Sequence, residues 1–396
     1  MSSLITAAMA LALTGSIVKG EVRGFEQIAF SNVGFTGSYT PVKKMSHLDN
    51  NSTCKCEVAE KTWFEGYDAP LSEHLSVHFR GPLTLEKFAF YQSDNFVVNN
   101  NSSDSWTRMA YYDASSQTAT NVTFLNNEGE DSPCVGKALS YANEDGTASA
   151  SSATVLKADN YISSGEEYSI FSTDKCPKSG VNNGCGYYRS GIPAYYGFGG
   201  QVKMFLFEFK MPTETQANSS SIEYYDMPAI WLLNDKIPRT SQYPLNANCS
   251  CWASGCGEYD IFEVMNGTER NHLYSTFHTY QGIEDLGTGI QSYGYIPRDT
   301  EGTMMGGVVF DADGNVVSFV SNSTTFDETL SASAVNALLA SIPKNETLSS
   351  ALKSISATAP SSTKHKSSGF SLMNAQTGIW YYIVSGLLAF TQVFVI

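Results

Sequence analysis

The chain is built from short runs in which β-branched and aromatic residues alternate with polar ones, broken every few residues by Gly, Asn, Asp or Pro. The runs are Leu75–Phe79, Leu85–Phe90, Met204–Lys210, Ile230–Leu233, Tyr259–Val264, Leu273–Phe277, and Val308–Phe310 followed by Val316–Val320. Asp311-Ala-Asp-Gly314 between the last two reads as a hairpin turn. Helical periodicity is nearly absent; Ser333–Ile342 fits a short helix, with Ser331 or Ser333 as N-cap and Pro343 beyond its end. Many short strands between turn signals imply an all-β fold, an antiparallel β-sandwich with one short C-terminal helix.

Organisation along the chain follows composition. Residues 21–135 read as a Gly/Asn/Tyr-rich N-terminal β module, and residues 136–345 hold the aromatic strands; both could instead share one sandwich. Residues 346–368 are Ser/Thr/Ala-rich and read as an O-glycosylated stalk. At the N-terminus, the apolar run Leu4–Val18 fits a signal peptide over residues 1–20, cut after Gly20 or nearer Gly15. At the other end, Ile379–Ile396 holds 18 residues without a charge. With Ser367-Ser368-Gly369 upstream as a small-residue attachment site, residues 369–396 read as a propeptide exchanged for a GPI lipid; a tail-anchored helix is the alternative.

The remaining composition agrees with a secreted protein, which a GPI lipid would hold at the outer leaflet of the plasma membrane. Ten N-glycosylation sequons start at Asn50, Asn51, Asn100, Asn101, Asn121, Asn218, Asn248, Asn266, Asn322 and Asn345. Eight cysteines in an oxidising compartment imply up to four disulfides, whose pairing stays open among 105 arrangements. Cys249-x-Cys251 followed by Cys256 lacks a Cys-x-x-Cys pair and a nearby histidine, so no metal site is expected. The net charge of −15 argues against nucleic acid, whose phosphates need a basic face. A monomer is expected.

Glu258-Tyr259-Asp260-Ile261-Phe262-Glu263 is the segment with the clearest chemistry. On a regular strand Glu258, Asp260 and Phe262 would share one face and Glu263 would point away. One bulge near Ile261-Phe262 returns Glu263 to the face of Glu258, and bulges are enriched beside active sites. Two glutamates on one face are what a configuration-retaining glycosidase needs, one as nucleophile and one as acid/base, with no cofactor. Asp260 between them would assist. Such chemistry asks that the nucleophile stay ionised while the acid/base holds a proton. An acidic edge strand is the bland alternative, but Ile261, Phe262 and Val264 make the segment too apolar for an exposed edge. Trp231, Trp252, Tyr195 and His278 are candidates for substrate binding, because aromatic rings cover the flat C–H faces of sugars; core packing is the alternative for each.

Pro228-Ala-Ile-Trp-Leu-Leu233, Gly257 to Glu263, His272-Leu-Tyr-Ser-Thr-Phe-His278 and Gly200 to Pro212 together resemble the core of glycoside hydrolase family 16. That likeness implies a concanavalin-like β-jelly roll, with Glu258 as nucleophile, Asp260 as assisting residue and Glu263 as acid/base. A wider resemblance rests on Asn32-Val-Gly-Phe-Thr-Gly-Ser-Tyr39, His78-Phe-Arg-Gly-Pro82, Tyr188-Arg-Ser-Gly-Ile-Pro-Ala-Tyr195 and Asn248-Cys-Ser-Cys-Trp-Ala-Ser-Gly-Cys256. These segments resemble the fungal "target of SBF" GPI-anchored cell-wall proteins. That family implies a wall location and β-1,3-glucan as substrate, with endo-β-1,3-glucanase or glucan transglycosylase activity. A structural glucan-binding glycoprotein is the rival expectation. The loop Cys249–Cys256 departs from ordinary family 16 enzymes and could narrow the cleft.

Overall fold

In the computed structural model, which describes residues 23–355, two large β-sheets lie face to face. In the first sheet the order is Thr329–Leu330, Trp106–Asp113, Thr84–Gln92, Lys203–Lys210, Met304–Phe310, Val316–Val320, Gln27–Ser31 and Thr347–Ala351. In the second it is Ser149–Ala150, Ser140–Ala142, Thr123–Asn126, Glu167–Phe171, Leu75–Arg80, Ala229–Asn234, Glu258–Glu263, His272–His278 and Ile290–Gln291. Every expected strand is present, usually a residue or two longer than the sequence pattern. The pairing is antiparallel except where Gln27–Ser31 meets Thr347–Ala351 in parallel.

Aromatic pairs stitch the two sheets together. Phe79 meets Phe207 with ring centroids 6.0 Å apart, Phe30 meets Phe277 at 5.0 Å, and Phe209 meets Phe262 at 5.6 Å. Each of these rings is almost wholly buried, and burial of one such side chain contributes roughly 1.5–3 kcal/mol. The aromatic strand Lys203–Lys210 is apolar on both faces for a structural reason. Phe205, Phe207 and Phe209 enter the intersheet core, while Met204 and Leu206 enter a second cluster with Val335 and Leu339 of the helix Ala332–Ser341. Ser331 caps that helix, its Oγ accepting from Ala334 N at 3.1 Å.

Two boundaries read from composition do not appear in the fold. Strands from both sides of residue 135 alternate within each sheet and bury one core, so residues 21–135 and 136–345 share the sandwich. Leu75–Arg80 and Thr84–Gln92 are interior strands, hydrogen-bonded on both edges to later segments. The stalk does not begin at residue 346 either: Thr347–Ala351 pairs with Gln27–Ser31, and Leu352 N donates to Ser31 O at 2.9 Å. Pairing across more than 300 residues leaves no local signal, and Ser and Thr suit an edge strand as well as a stalk. The expected signal peptide, residues 356–368 of the expected stalk, and the expected attachment site Ser367, Ser368 and Gly369 with its propeptide lie outside the described residues.

All eight cysteines pair, as Cys54–Cys134, Cys56–Cys249, Cys176–Cys185 and Cys251–Cys256. The first two tie the small hairpin Val42–Ser46/Lys55–Val58 to loops over the outer face of the second sheet. Nine of the ten sequon asparagines are exposed. Asn121 differs: its Nδ2 donates to Met109 O at 3.1 Å, and its Oδ1 accepts from Thr173.

Candidate active site

The strand Glu258–Glu263 carries the bulge that its sequence suggests. Toward Ala229–Asn234, Asp260 pairs with Trp231 and Phe262 with Ile230, so Ile261 is an extra residue. Toward His272–His278, Asp260 pairs with Thr276 and Glu263 with Tyr274. Ile261 and Phe262 therefore both enter the core, and Glu263 returns to the outer face with Glu258 and Asp260. The Ser275 hydroxyl donates to the Ile261 carbonyl at 2.8 Å, which satisfies a group at the bulge. Entry to the strand needs Gly257, at φ +107°, where a Cβ would press on Pro70 and Leu71 at 3.0 Å.

Each acid has its own partner. The Trp252 indole N–H donates to Glu258 Oε2. His278 Nε2 lies 2.9 Å from Asp260 Oδ2, and its Nδ1 contacts the Leu286 carbonyl. Arg80 Nη2 donates to Glu263 Oε1 at 2.9 Å. Facing a carbonyl, His278 Nδ1 must carry a proton, so a second proton sits in the Nε2···Oδ2 contact and the Asp260–His278 pair is net neutral. Burial alone would lower the imidazole, but the Asp260 carboxylate, with Glu258 adding, lifts it to about 10. Glu258 differs from the ionised nucleophile expected of its role: burial raises its carboxyl, against the His278 charge and the Trp252 hydrogen bond.

A row of residues crosses four neighbouring strands in register, Glu167, Arg80, Ala229 and Glu263. Arg80 also donates from Nε to Met227 O at 2.8 Å and lies under the Tyr224 ring. Burial pushes Glu167 up to about 7, opposed by Arg80 and by the Tyr243 hydroxyl, with Glu263 and Glu223 adding to the rise. Its folded form thus keeps a proton that the unfolded chain releases near 4.5. The stability this contributes is complete below that value and is lost as pH rises through about 7. Glu167→Gln should flatten the decline of the melting temperature between these two pH values; an unchanged decline would contradict the assignment.

The structure sorts the candidate binding residues. Trp252 and His278 stand beside the acids, their ring centroids 6.1 Å apart. Trp231 is next to Asp260 in register but only 3% exposed, packed with Phe35, Phe64 and Cys251 from the covering loops and tilted against His78. Tyr195 is not part of this group. It packs with Leu125, Leu139 and Phe171, and its hydroxyl bonds Tyr141 at 2.9 Å. The structure adds His78, Arg80 and Glu167 beside the acidic strand; the spacing His78-x-Arg80 puts the first two on one face, and nothing local marks Glu167. Alternation in Leu75–Arg80 suggests a half-solvated strand, yet all six residues are buried, because the polar ones form the floor beneath the loops.

Comparisons place the whole assembly in a known group. The family model described as Cell wall protein YJL171C/Tos1, C-terminal, matches residues 104–338, and its N-terminal counterpart matches residues 26–93. A Saccharomyces cerevisiae protein named "Probable circularly permuted 1,3-beta-glucanase YJL171C" is 67% identical over 375 residues, 94% of each chain. The Candida albicans protein "Probable circularly permuted 1,3-beta-glucanase PGA52" is 53% identical over 87% of this chain and 89% of its own. A further Saccharomyces cerevisiae protein, "Probable circularly permuted 1,3-beta-glucanase TOS1", is 43% identical over 77% and 88%. No solved structure matches the chain.

Proposed function

This chain belongs to the cell wall protein YJL171C/Tos1 family, and from that premise we propose that it is a retaining glycosidase or transglycosylase acting on β-1,3-glucan of the wall. The observation that carries the reading is the bulge at Ile261, which turns Glu258, Asp260 and Glu263 onto one face. In the first step a Glu258 oxygen bonds the anomeric carbon and the glycosidic C–O bond breaks. Glu263 gives its proton to the departing oxygen. In the second step water or a glucan hydroxyl attacks the same carbon, Glu263 takes its proton, and the ester to Glu258 breaks. Two inversions leave the β configuration unchanged. The neutral Asp260–His278 pair keeps a third negative charge away from the two glutamates. Arg80 orients Glu263 through Oε1.

Several features suit chemistry outside the cell. The exposed sequon asparagines other than Asn121 suit glycosylation, and the terminal segments suit a signal peptide and GPI attachment at Ser367, Ser368 or Gly369. A binding-only glycoprotein is the second reading. It draws on the covering of Trp231 by loops held through Cys56–Cys249 and Cys251–Cys256.

Incubation with reduced β-1,3-gluco-oligosaccharides separates the readings. Shorter products indicate a hydrolase and longer ones a transglycosylase. Binding without any product favours the structural glycoprotein and contradicts the proposed chemistry.

A further inference from the structure

The row Glu167–Arg80–Ala229–Glu263 does not stop at the acids. Beyond Glu167 it opens into a cavity of about 380 Å³, of a size that pockets for small ligands commonly have. Tyr224 and Tyr243 stand on its rim, 37% and 56% exposed. Tyr224 lies over Arg80, its ring centroid 4.3 Å from the guanidinium carbon, and Arg80 in turn holds Glu263. The Tyr243 hydroxyl contacts Glu167 at 3.1 Å and accepts from Gln242 Nε2 at 2.9 Å. The cavity thus shares side chains with the catalytic row. It lies three strand spacings from the acidic strand, about 14 Å.

Its walls are fixed. Cys54–Cys134 anchors the segment before Val135, Ser241 Oγ donates to Val135 O at 2.8 Å, and Arg189 Nη1 donates to Gly136 O at 2.9 Å. Its charge is negative. Glu128, Glu166 and Glu223 line it beside the Glu167 carboxyl, which is neutral below about pH 7, and against Lys137, which is itself paired with Glu128 at 2.5 Å. Such a lining repels phosphate, sulfate or uronate groups. It suits a neutral ligand whose hydroxyls donate to carboxylates and whose C–H faces rest on tyrosine rings.

We propose that this cavity is a distal subsite for a neutral glucosyl unit of the same β-glucan chain that is cut at Glu258, with Tyr243 and Tyr224 as its platform. The proposal rests on the glucan reading above and adds where the chain runs: from the acidic strand across Arg80 to Glu167. Occupancy of the subsite makes binding depend on chain length. Oligosaccharides long enough to reach from the acidic strand to Tyr243 gain affinity that shorter ones lack.

Titration calorimetry with β-1,3-gluco-oligosaccharides of two to six units tests this in a Glu258→Gln background, where products do not interfere. Adding Tyr243→Ala should weaken binding of the hexasaccharide about tenfold and abolish the gain from three to six units. Tyr243→Phe, which keeps the ring, should lose less. Tyr243 is exposed, so the melting temperature should stay put in both. If Tyr243→Ala binds every length as its parent does, the subsite is wrong while the glucan reading stands. If the parent binds no gluco-oligosaccharide and the native chain cuts none, the glucan reading fails and takes the subsite with it. Tyr243-dependent binding of a cationic glucosamine oligomer in preference to glucan overturns the assignment to a neutral sugar.

Discussion

Glu258→Gln should lower turnover of β-1,3-glucan by roughly a thousandfold or more, with the melting temperature nearly unchanged. The substitution keeps the shape of the side chain, and its amide oxygen can still accept the Trp252 indole N–H. It removes the oxygen nucleophile, without which no ester to the anomeric carbon forms. Stability should hold because Glu258 sits on the outer face, partly exposed, while the core contacts of its strand come from Tyr259, Ile261 and Phe262. Burial raises Glu258 in the folded chain by more than the His278 charge and the Trp252 hydrogen bond lower it, so losing its charge is no net loss to stability. The measurement is the initial rate of product release beside a thermal melt of the same sample. A variant with wild-type rate removes Glu258 from the mechanism. A variant that fails to fold shifts the question to Glu258→Asp, which keeps the carboxylate but draws it back from the sugar and should still lose most activity.

Removing Cys56–Cys249 should have the largest effect on stability. The bridge joins residues 193 apart, and constraint of the unfolded chain over such a loop is worth about 5 kcal/mol in the entropic account. Cys176–Cys185 closes only 9 residues, for which the same account gives about 2.6 kcal/mol. Paired serine substitutions at each bridge, compared by urea midpoint, should therefore differ about twofold in their cost. Equal losses would contradict the loop-length account. Activity should suffer too. Cys56 holds the segment that leads through Cys251 and Trp252 to Glu258, and Cys249 and Cys251 are both buried there. The loss in rate should exceed that caused by removing Cys176–Cys185.

Local pattern made the strands legible, because alternation and turn residues act over a few positions. The bulge was legible for a related reason: apolar residues at both 261 and 262 between acids can be buried together only if one residue is added to the strand. What the sequence left hidden depends on partners far away along the chain. Glu167 meets Arg80 only because their strands pair, and nothing near residue 167 announces it. Arg80 and His78 lie together in His78-Phe-Arg-Gly-Pro82, yet their roles come from Glu263 and Trp231, which arrive from other strands. Tyr195 sits in an aromatic-rich segment like a cleft residue, but a separate cluster on the same sheet takes it. Cysteine pairing is likewise a matter of which loops fold together, and the interior position of Leu75–Arg80 is what merges the two supposed modules.

The most direct measurement of the central claim is capture of the glycosyl–enzyme. A 2-fluoro-β-1,3-gluco-oligosaccharide with a good leaving group should add one glycosyl chain to the protein. Peptide mapping should place it on Glu258, with none formed by Glu258→Gln. Turnover of glucan with no adduct on Glu258, or an adduct on Glu263 or Asp260 instead, would contradict the account.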